Sequence, residues 1–306
     1  MLTLLSVKYG DPAHLRRNAA LCRQLNPDAE YTWIVVDNDL DEQFALEAMG
    51  GVRVVPGVMP GVERRASGDR GSRHHAAGIM AGLRAVQSRY LLVIDHDFYV
   101  VRPGWIESIL EHVRLNNLAF FGSVWHPRWS YQPRDFPSVH FLLIDLGQVK
   151  LEDLDFRPDF GADRWDAFVS DPRTPIPSAL RTLLQVGRLR DTGWRVRSRY
   201  RMSGLTAERL QVHWNREAAI DAAPTLHRTL MGGLPDAFNP YPRTGAELTD
   251  QSFLRPVSSL GYGWAWEEFF WQGAPFALHL RGVGRGITGI EEAAELEDVL
   301  CELTRP

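Results

Sequence analysis

The chain has 306 residues, enough for one large or two modest domains with a full core, so small scaffolds stapled by disulfides or metal are excluded. Its 34 Lys+Arg against 38 Asp+Glu leave a formal charge of −4, and that balance recommends neither nucleic acid nor an anionic membrane as partner. Hydrophobic residues at 44% and charged residues at 24% are the proportions of an ordinary globular chain rather than a disordered one. Only Lys8 and Lys150 among the 34 cations are lysines, so clusters of Arg reflect overall composition before they reflect any site. Cys22 and Cys301 lie far apart and match no metal spacing, which predicts inert packing residues in a reducing, cytoplasmic setting. Met1–Val7 lacks a basic leader and reads as a first strand rather than a signal peptide. No run approaches the ~18 apolar residues of a membrane span.

The first half alternates strands and helices. Leu2–Val7 reads as a strand and Asp11–Leu25 as a helix, with Asp11 as N-cap and Pro12 at the first position, where a missing N–H costs nothing. Tyr31–Val36 is an apolar strand emptying into Asp37-Asn38-Asp39, Asp41–Met49 a short helix, and Val52–Val55 a third strand. Ser72–Gln87 has helical spacing, and Tyr90–Ile94 is a five-residue apolar strand opening onto Asp95-His96-Asp97. Trp105–Leu115 reads as a helix, Ala119–Val124 and Val139–Ile144 as strands, with the aromatic loop Trp125–Pro133 between them. Farther on, a helix is predicted over Ser178–Arg190, a helical or extended stretch from Asp191, a long Gly- and Pro-rich loop over Met231–Gly245, and an amphipathic helix at Glu291–Leu303. This pattern specifies an α/β fold with a mixed, mostly parallel central sheet flanked by helices, and it places ligands outside the carboxyl ends of the strands.

Asp95 and Asp97 carry the strongest chemical signal. Two carboxylates one residue apart, just past a buried strand, can both reach one hard divalent cation and the phosphate oxygens it carries. Short Asp-x-Asp pairs also occur in turns and caps, so the pair acquires meaning from its company. Four features in order supply that company: Val7-Lys8-Tyr9 after the first strand, Asp37 and Asp39 after the second, the polar helix start Gly71–Gly78, and Asp95-His96-Asp97. With them the chain resembles the GT-A-fold glycosyltransferases, family-2-like ones in particular, from Leu4 to about Leu110 and more loosely to Arg285.

The resemblance implies a Rossmann-like nucleotide-diphospho-sugar transferase fold, a single continuous domain with a donor-binding half over 1–115 and an acceptor-binding half over 116–306. It implies a nucleotide-diphosphate sugar donor touched by Tyr9, Asp37, Asp39, Arg73, His74, Asp95 and Arg281. Mn2+ or Mg2+ would be held by Asp97, by Asp95 directly or through water, and by a late histidine, His279 in Phe276–Gly282, with His213 as runner-up. His279 reads equally well as a core histidine at a strand end. An inverting transfer needs a general base beside the acceptor hydroxyl, and Asp191 has the right relative place, although the doubled acidic pair common in the family is missing. An N-cap is its plain structural role. Glu267 and Glu268 are alternatives, a pair in which one acid is ordinarily capped and the other solvated. Arg195, Arg197, Arg199 and Arg201 alternate with a strand-like period of two and read as a solvated face. Of the ten tryptophans, Trp125, Trp129, Trp194 and Trp266 fall in polar contexts and could stack on a carbohydrate or small-molecule acceptor.

The expected function is therefore metal-dependent glycosyl transfer to an acceptor hydroxyl. A binding protein of the same fold with little or no turnover is one alternative. A sugar-phosphate nucleotidyltransferase is another, against which stands the absence of a Gly-rich Arg/Lys loop after the first strand. A phosphatase would want Thr or Val where Tyr99 stands.

Overall fold

The computed structural model describes residues 1–9, 12–38, 51–57, 67–126, 132–159, 190–213, 266–280 and 298–300, with the single positions 173, 175 and 225. The expected helices at 41–49 and 178–190, the loop at 231–245 and most of the helix at 291–303 lie outside them, as do Asp39, Trp129 and Arg281 and the side chain of Trp266.

Strands β1 (Leu2–Lys8), β2 (Tyr31–Asp37), β3 (Val52–Pro56) and β4 (Tyr90–Ile94) run parallel in the order β3-β2-β1-β4. Strand β7 (Phe141–Asp145) pairs antiparallel with β4, β6 (Phe120–Gly122) antiparallel with β7, and β8 (Ala207–Arg209) parallel with β6. The result is a mixed, mostly parallel seven-stranded sheet in an α/β fold, as expected from the sequence. A smaller antiparallel sheet follows the order β5-β11-β10-β9, from β5 (Phe98–Val100), β9 (Gln211–Val212), β10 (Trp266–Trp271) and β11 (Ala274–Leu280). Gln272 and Gly273 join β10 to β11, both at positive φ, as a tight two-residue hairpin turn requires.

Side-chain alternation along the central strands fills two cores. Leu2, Leu4, Trp33, Val35, Leu92, Ile94, Phe141 and Leu143 face one side, where α1 (Ala13–Leu25), α3 (Trp105–Leu115) and the small sheet cover them. Leu5, Val7, Ile34, Val36, Leu91, Val93, Leu142 and Ile144 face the other, against α2 (Ser67–Leu83) and α4 (Trp194–Tyr200). Each such side chain, fully buried, contributes about 1.5–3 kcal/mol of transfer free energy. Helix α2 approaches β1 closely because Gly78 and Gly82 present no side chain to it. A Cβ there would stand 2.5 Å from Val7 and 2.3 Å from Leu5. Ser6 ties three strands together, donating to the Ile94 carbonyl at 2.8 Å and accepting from Trp33 Nε1 at 3.1 Å.

Two local expectations are corrected. Helix α1 begins at Ala13, with Pro12 in the capping position and no side-chain cap, and the Pro12 carbonyl accepts from Arg16 N at 2.9 Å. The Arg-rich stretch is helical, because Val196 and Tyr200, four apart, bury one face of α4. Its arginines are not an open row. Arg197 grips Asp135 through two hydrogen bonds of 2.7 and 2.8 Å, Arg201 reaches the same carboxylate at 2.8 Å, and Arg195 and Arg199 pair with Asp155 and Asp153.

Burial acts to raise the Asp135 carboxyl, but Arg197 and Arg201 outweigh it and hold the group below its ordinary value. A carboxylate favoured in the folded state stabilises fully above its unfolded value near pH ~4 and loses that contribution as pH falls through the lower folded value. Asp135→Asn should therefore cost about 2 kcal/mol at pH 7 and progressively less on acidification. Urea unfolding at a series of pH values would measure it, and a pH-independent difference would contradict this account.

Candidate active site

The carboxyl ends of β1, β2 and β4 open on one edge of the central sheet. There Lys8, only 1% exposed, sits opposite Asp37 in the β1–β2 register and contacts its Oδ1 at 3.1 Å. Asp95 follows β4 directly and extends its ladder, with Asp95 N donating to the His140 carbonyl at 2.9 Å. The chain then turns, Phe98 N bonding back to the Asp95 carbonyl at 3.1 Å, and enters β5. Asn18 of α1 clamps this turn by donating to the Phe98 carbonyl at 2.8 Å.

Strand β5 is where the two sheets meet. Phe98 lies opposite His279 in the β5–β11 register, and Leu280 N donates to the Asp97 carbonyl at 3.0 Å. His279 Nε2 thus stands 3.5 Å from Asp97 Oδ1 and 3.8 Å from Asp95 Oδ2, its ring buried against Phe98 and His140. One ligand atom from each of Asp95, Asp97 and His279 lies within 4.8 Å of the other two. Two carboxylates and an imidazole, converging and only partly open to solvent, form a donor set that suits a divalent cation such as Mn2+. His213 is not in this group. It lies buried beyond β9, with Nδ1 3.1 Å from Glu268 Oε2.

Three histidines surround the first carboxylate. His75 of α2 contacts Asp95 Oδ1 at 3.2 Å, while His140 and His279 add charge from the other sides. Burial works to raise both Asp95 and Asp97, yet the neighbouring imidazoles prevail and hold both below the ordinary carboxylate range. His75 shifts the opposite way. Burial lowers it, but the attraction of Asp95, reinforced by Asp191 and Asp97, raises it overall. Asp191 therefore shares the electrostatic neighbourhood of the Asp95/Asp97 pair.

The loop carrying Asp191 is held from two sides. Thr192 Oγ1 donates to the Ser72 carbonyl of α2 at 3.0 Å, and Gly193 N donates to Phe156 at 3.0 Å. Gly193, at φ +84°, occupies the capping position of α4, where a Cβ would meet Val139 at 2.7 Å. Asp191 is thus not the N-cap. Its Oδ1 accepts from Thr192 N at 2.6 Å, and the carboxylate borders a cleft lined also by Trp125, Trp194, Pro133 and Arg197. Trp125 packs edge-on against His140, with ring centroids 4.4 Å apart, so the cleft adjoins the histidine cluster.

The remaining expected residues are placed as follows. Tyr9 is 62% exposed, with its ring edge toward His74. His74 itself is buried, its carbonyl accepting from Asn38 Nδ2 at 2.7 Å, and Arg73 precedes it on α2 at intermediate exposure. Glu267 and Glu268 are neither capped nor solvated. They are 1% and 0% exposed on β10, Glu267 facing His279 and Glu268 facing His213. His140 and the Glu267–His279 contact belong to the site without having been picked out for it from the sequence, whereas His75 lies in the polar helix start Gly71–Gly78 that was. Lys8 did leave a signal, since a chain that uses arginine almost throughout keeps a narrow ammonium where a guanidinium would need more room.

No family model matches the chain, and no curated protein matches it. Among solved structures it is similar to S. aureus TarS, at 11% identity over 51% of this chain and 50% of that one, with a TM-score of 0.37. It is also similar to the mannosyltransferase PcManGT from Pyrobaculum calidifontis in complex with GDP-Man and Mn2+, at 12% identity, 55% and 50% coverage and a TM-score of 0.36. An active-site mutant of LgtC aligns over 99% of this chain and 95% of its own, at 12% identity and a TM-score of 0.39. The chain spans about half the length of the first two. At such identities and scores, function must be read from the side chains of this protein itself.

Proposed function

We propose that this protein is a metal-dependent glycosyltransferase with a GT-A fold, family-2-like, moving a sugar from a nucleotide-diphosphate donor to the hydroxyl of a carbohydrate or small-molecule acceptor, with inversion. The observation that carries this reading is the convergence of Asp95, Asp97 and His279 at the carboxyl edge of the parallel strands. Those three residues would hold Mn2+ or Mg2+. When bound, such a cation supplies neutralisation of the charge that gathers on a departing diphosphate.

The chain's own residues do the rest. Residues 1–115 form the donor half, in which Tyr9, Asp37, Asp39, Arg73 and His74 orient the nucleotide together with Arg281 from the later half, with the buried Lys8 fixing the Asp37 carboxylate. His75, bonded to Asp95, limits how far that carboxylate can swing. Residues 116–306 form the acceptor half, where Trp125 and Trp194 flank the cleft that Asp191 borders, and Trp129 and Trp266 would also stack on the acceptor. Asp191 takes the proton of the acceptor hydroxyl. Among the described residues no helix is long and apolar enough to cross a membrane, and the Cys22 thiol, pushed up to about 12 by burial, is kept unreactive.

A thermal-shift series of nucleoside diphosphates with and without Mn2+ tests the reading, because a ligand that binds only the folded state raises apparent stability. At a hundred times its dissociation constant the gain is about 2.7 kcal/mol. The expected result is a rise in Tm that needs both diphosphate and cation. Insensitivity to every nucleotide would overturn the proposal, and a cation-dependent shift with no transfer or donor hydrolysis would point to a binding protein instead.

A further inference from the structure

Glu267 is a carboxylate fully enclosed by protein, and the proposed metal ligand His279 lies directly opposite it in the β10–β11 register. Its Oε2 faces His279 Nδ1 at 3.4 Å, on the side of the ring away from Asp95 and Asp97. A histidine that ligates a cation through Nε2 carries its proton on Nδ1, and the Glu267 carboxylate is the group that faces that nitrogen. Nε2 faces the two aspartates with which it would share the cation. The next residue shows the same arrangement on the other face of β10: Glu268 Oε2 stands 3.1 Å from His213 Nδ1, with both side chains fully buried. Successive strand residues point to opposite faces, so the two Glu–His pairs are separate, and only the Glu267 pair looks into the cation site.

We propose that Glu267 is a positioning residue: its buried carboxylate holds the proton of His279 on Nδ1 and so presents Nε2, unprotonated and correctly turned, to a divalent cation shared with Asp95 and Asp97. The inference rests on the metal-site reading above and assigns Glu267 a place behind the ligand rather than beside the substrate. Carboxylates in this position raise the basicity of the ligating histidine, and their loss typically weakens metal affinity 10–100-fold.

The test measures Mn2+ binding to the whole protein by electron paramagnetic resonance, without nucleotide, in the wild type and in Glu267→Gln, Glu268→Gln and Asp97→Asn. The expected result is a tenfold or greater loss of affinity in Glu267→Gln and Asp97→Asn, with Glu268→Gln within about twofold of the wild type. Wild-type affinity in Glu267→Gln, with Asp97→Asn weakened, overturns the role of Glu267 and leaves the site reading standing. An equal loss in Glu268→Gln also overturns it, by showing that loosening β10 suffices. Wild-type affinity in Asp97→Asn overturns the site reading and this inference together. Should Glu267→Gln fail to fold, Glu267→Asp, which keeps the charge but draws it back from His279 Nδ1, is titrated with Mn2+ in the same way. A tenfold or greater loss of affinity supports the proposal, and wild-type affinity overturns it.

Discussion

Alanine at Asp97 should lower cation-dependent turnover about a thousandfold or more, the equivalent of roughly 4 kcal/mol of lost transition-state stabilisation. Asp97 supplies one of the three converging ligand groups, and without it only Asp95, at 3.8 Å, faces His279 Nε2 among the described residues. The substitution should leave the fold in place. The Asp97 side chain is partly open to solvent, and the contact that seats β11, from Leu280 N to the Asp97 carbonyl, is made by the backbone. Steady-state transfer rates with and without Mn2+, together with near-ultraviolet circular dichroism as a check on packing, would measure both parts. Wild-type turnover in a folded Asp97→Ala protein would remove the metal site from the mechanism.

Asn at Asp191 should lower kcat by about 10²–10⁴-fold, the usual contribution of a positioned general base, with donor affinity little changed. The substitution is a sharp one because it preserves local geometry. Asn keeps a side-chain oxygen to accept from Thr192 N, and the bond that opens α4, from Trp194 N to the Asp191 carbonyl, involves no side chain. Only the ability to accept a full proton disappears. Steady-state kcat and donor KM, in wild type and variant, would show the loss in kcat with donor KM little changed. If kcat were unaffected, Asp191 would be a loop residue alone. Glu267 and Glu268, each enclosed and facing a histidine, offer an acceptor hydroxyl no comparable access.

The parts of this fold that can be read from sequence are those governed by short-range pattern. Tyr90–Ile94 is five apolar residues bounded by polar ones and forms β4 with those bounds, and Trp105–Leu115 forms α3 likewise. The carboxylate pair was visible because only His96 separates Asp95 from Asp97 in the chain. The arginines after Trp194 misled, since their period of two is accidental to the Val196/Tyr200 spacing that buries α4. His140 was not visible as a site residue for a different reason. It looks ordinary in its own segment, and what gives it a role is the pairing of β7 with β4, which sets it beside Asp95. The pairing of Glu267 with His279 depends on the register of a hairpin, and a shift by one residue would have sent either side chain to the opposite face.

Because β5 leaves the Asp95 turn to join β11 rather than the central sheet, the three converging ligands belong to neither sheet alone. Asp95 ends a strand of the central sheet, Asp97 leads into β5 of the small one, and His279 is carried on β11. A cation held there would act as a rivet through a seam, and its affinity would report how firmly the seam is closed. By linkage, whatever cation binding adds to the joined form it adds to the cohesion of the two sheets. Side chains such as Phe276 and Trp271, which anchor the small sheet far from any ligand atom, would then tune cation affinity without touching the ion.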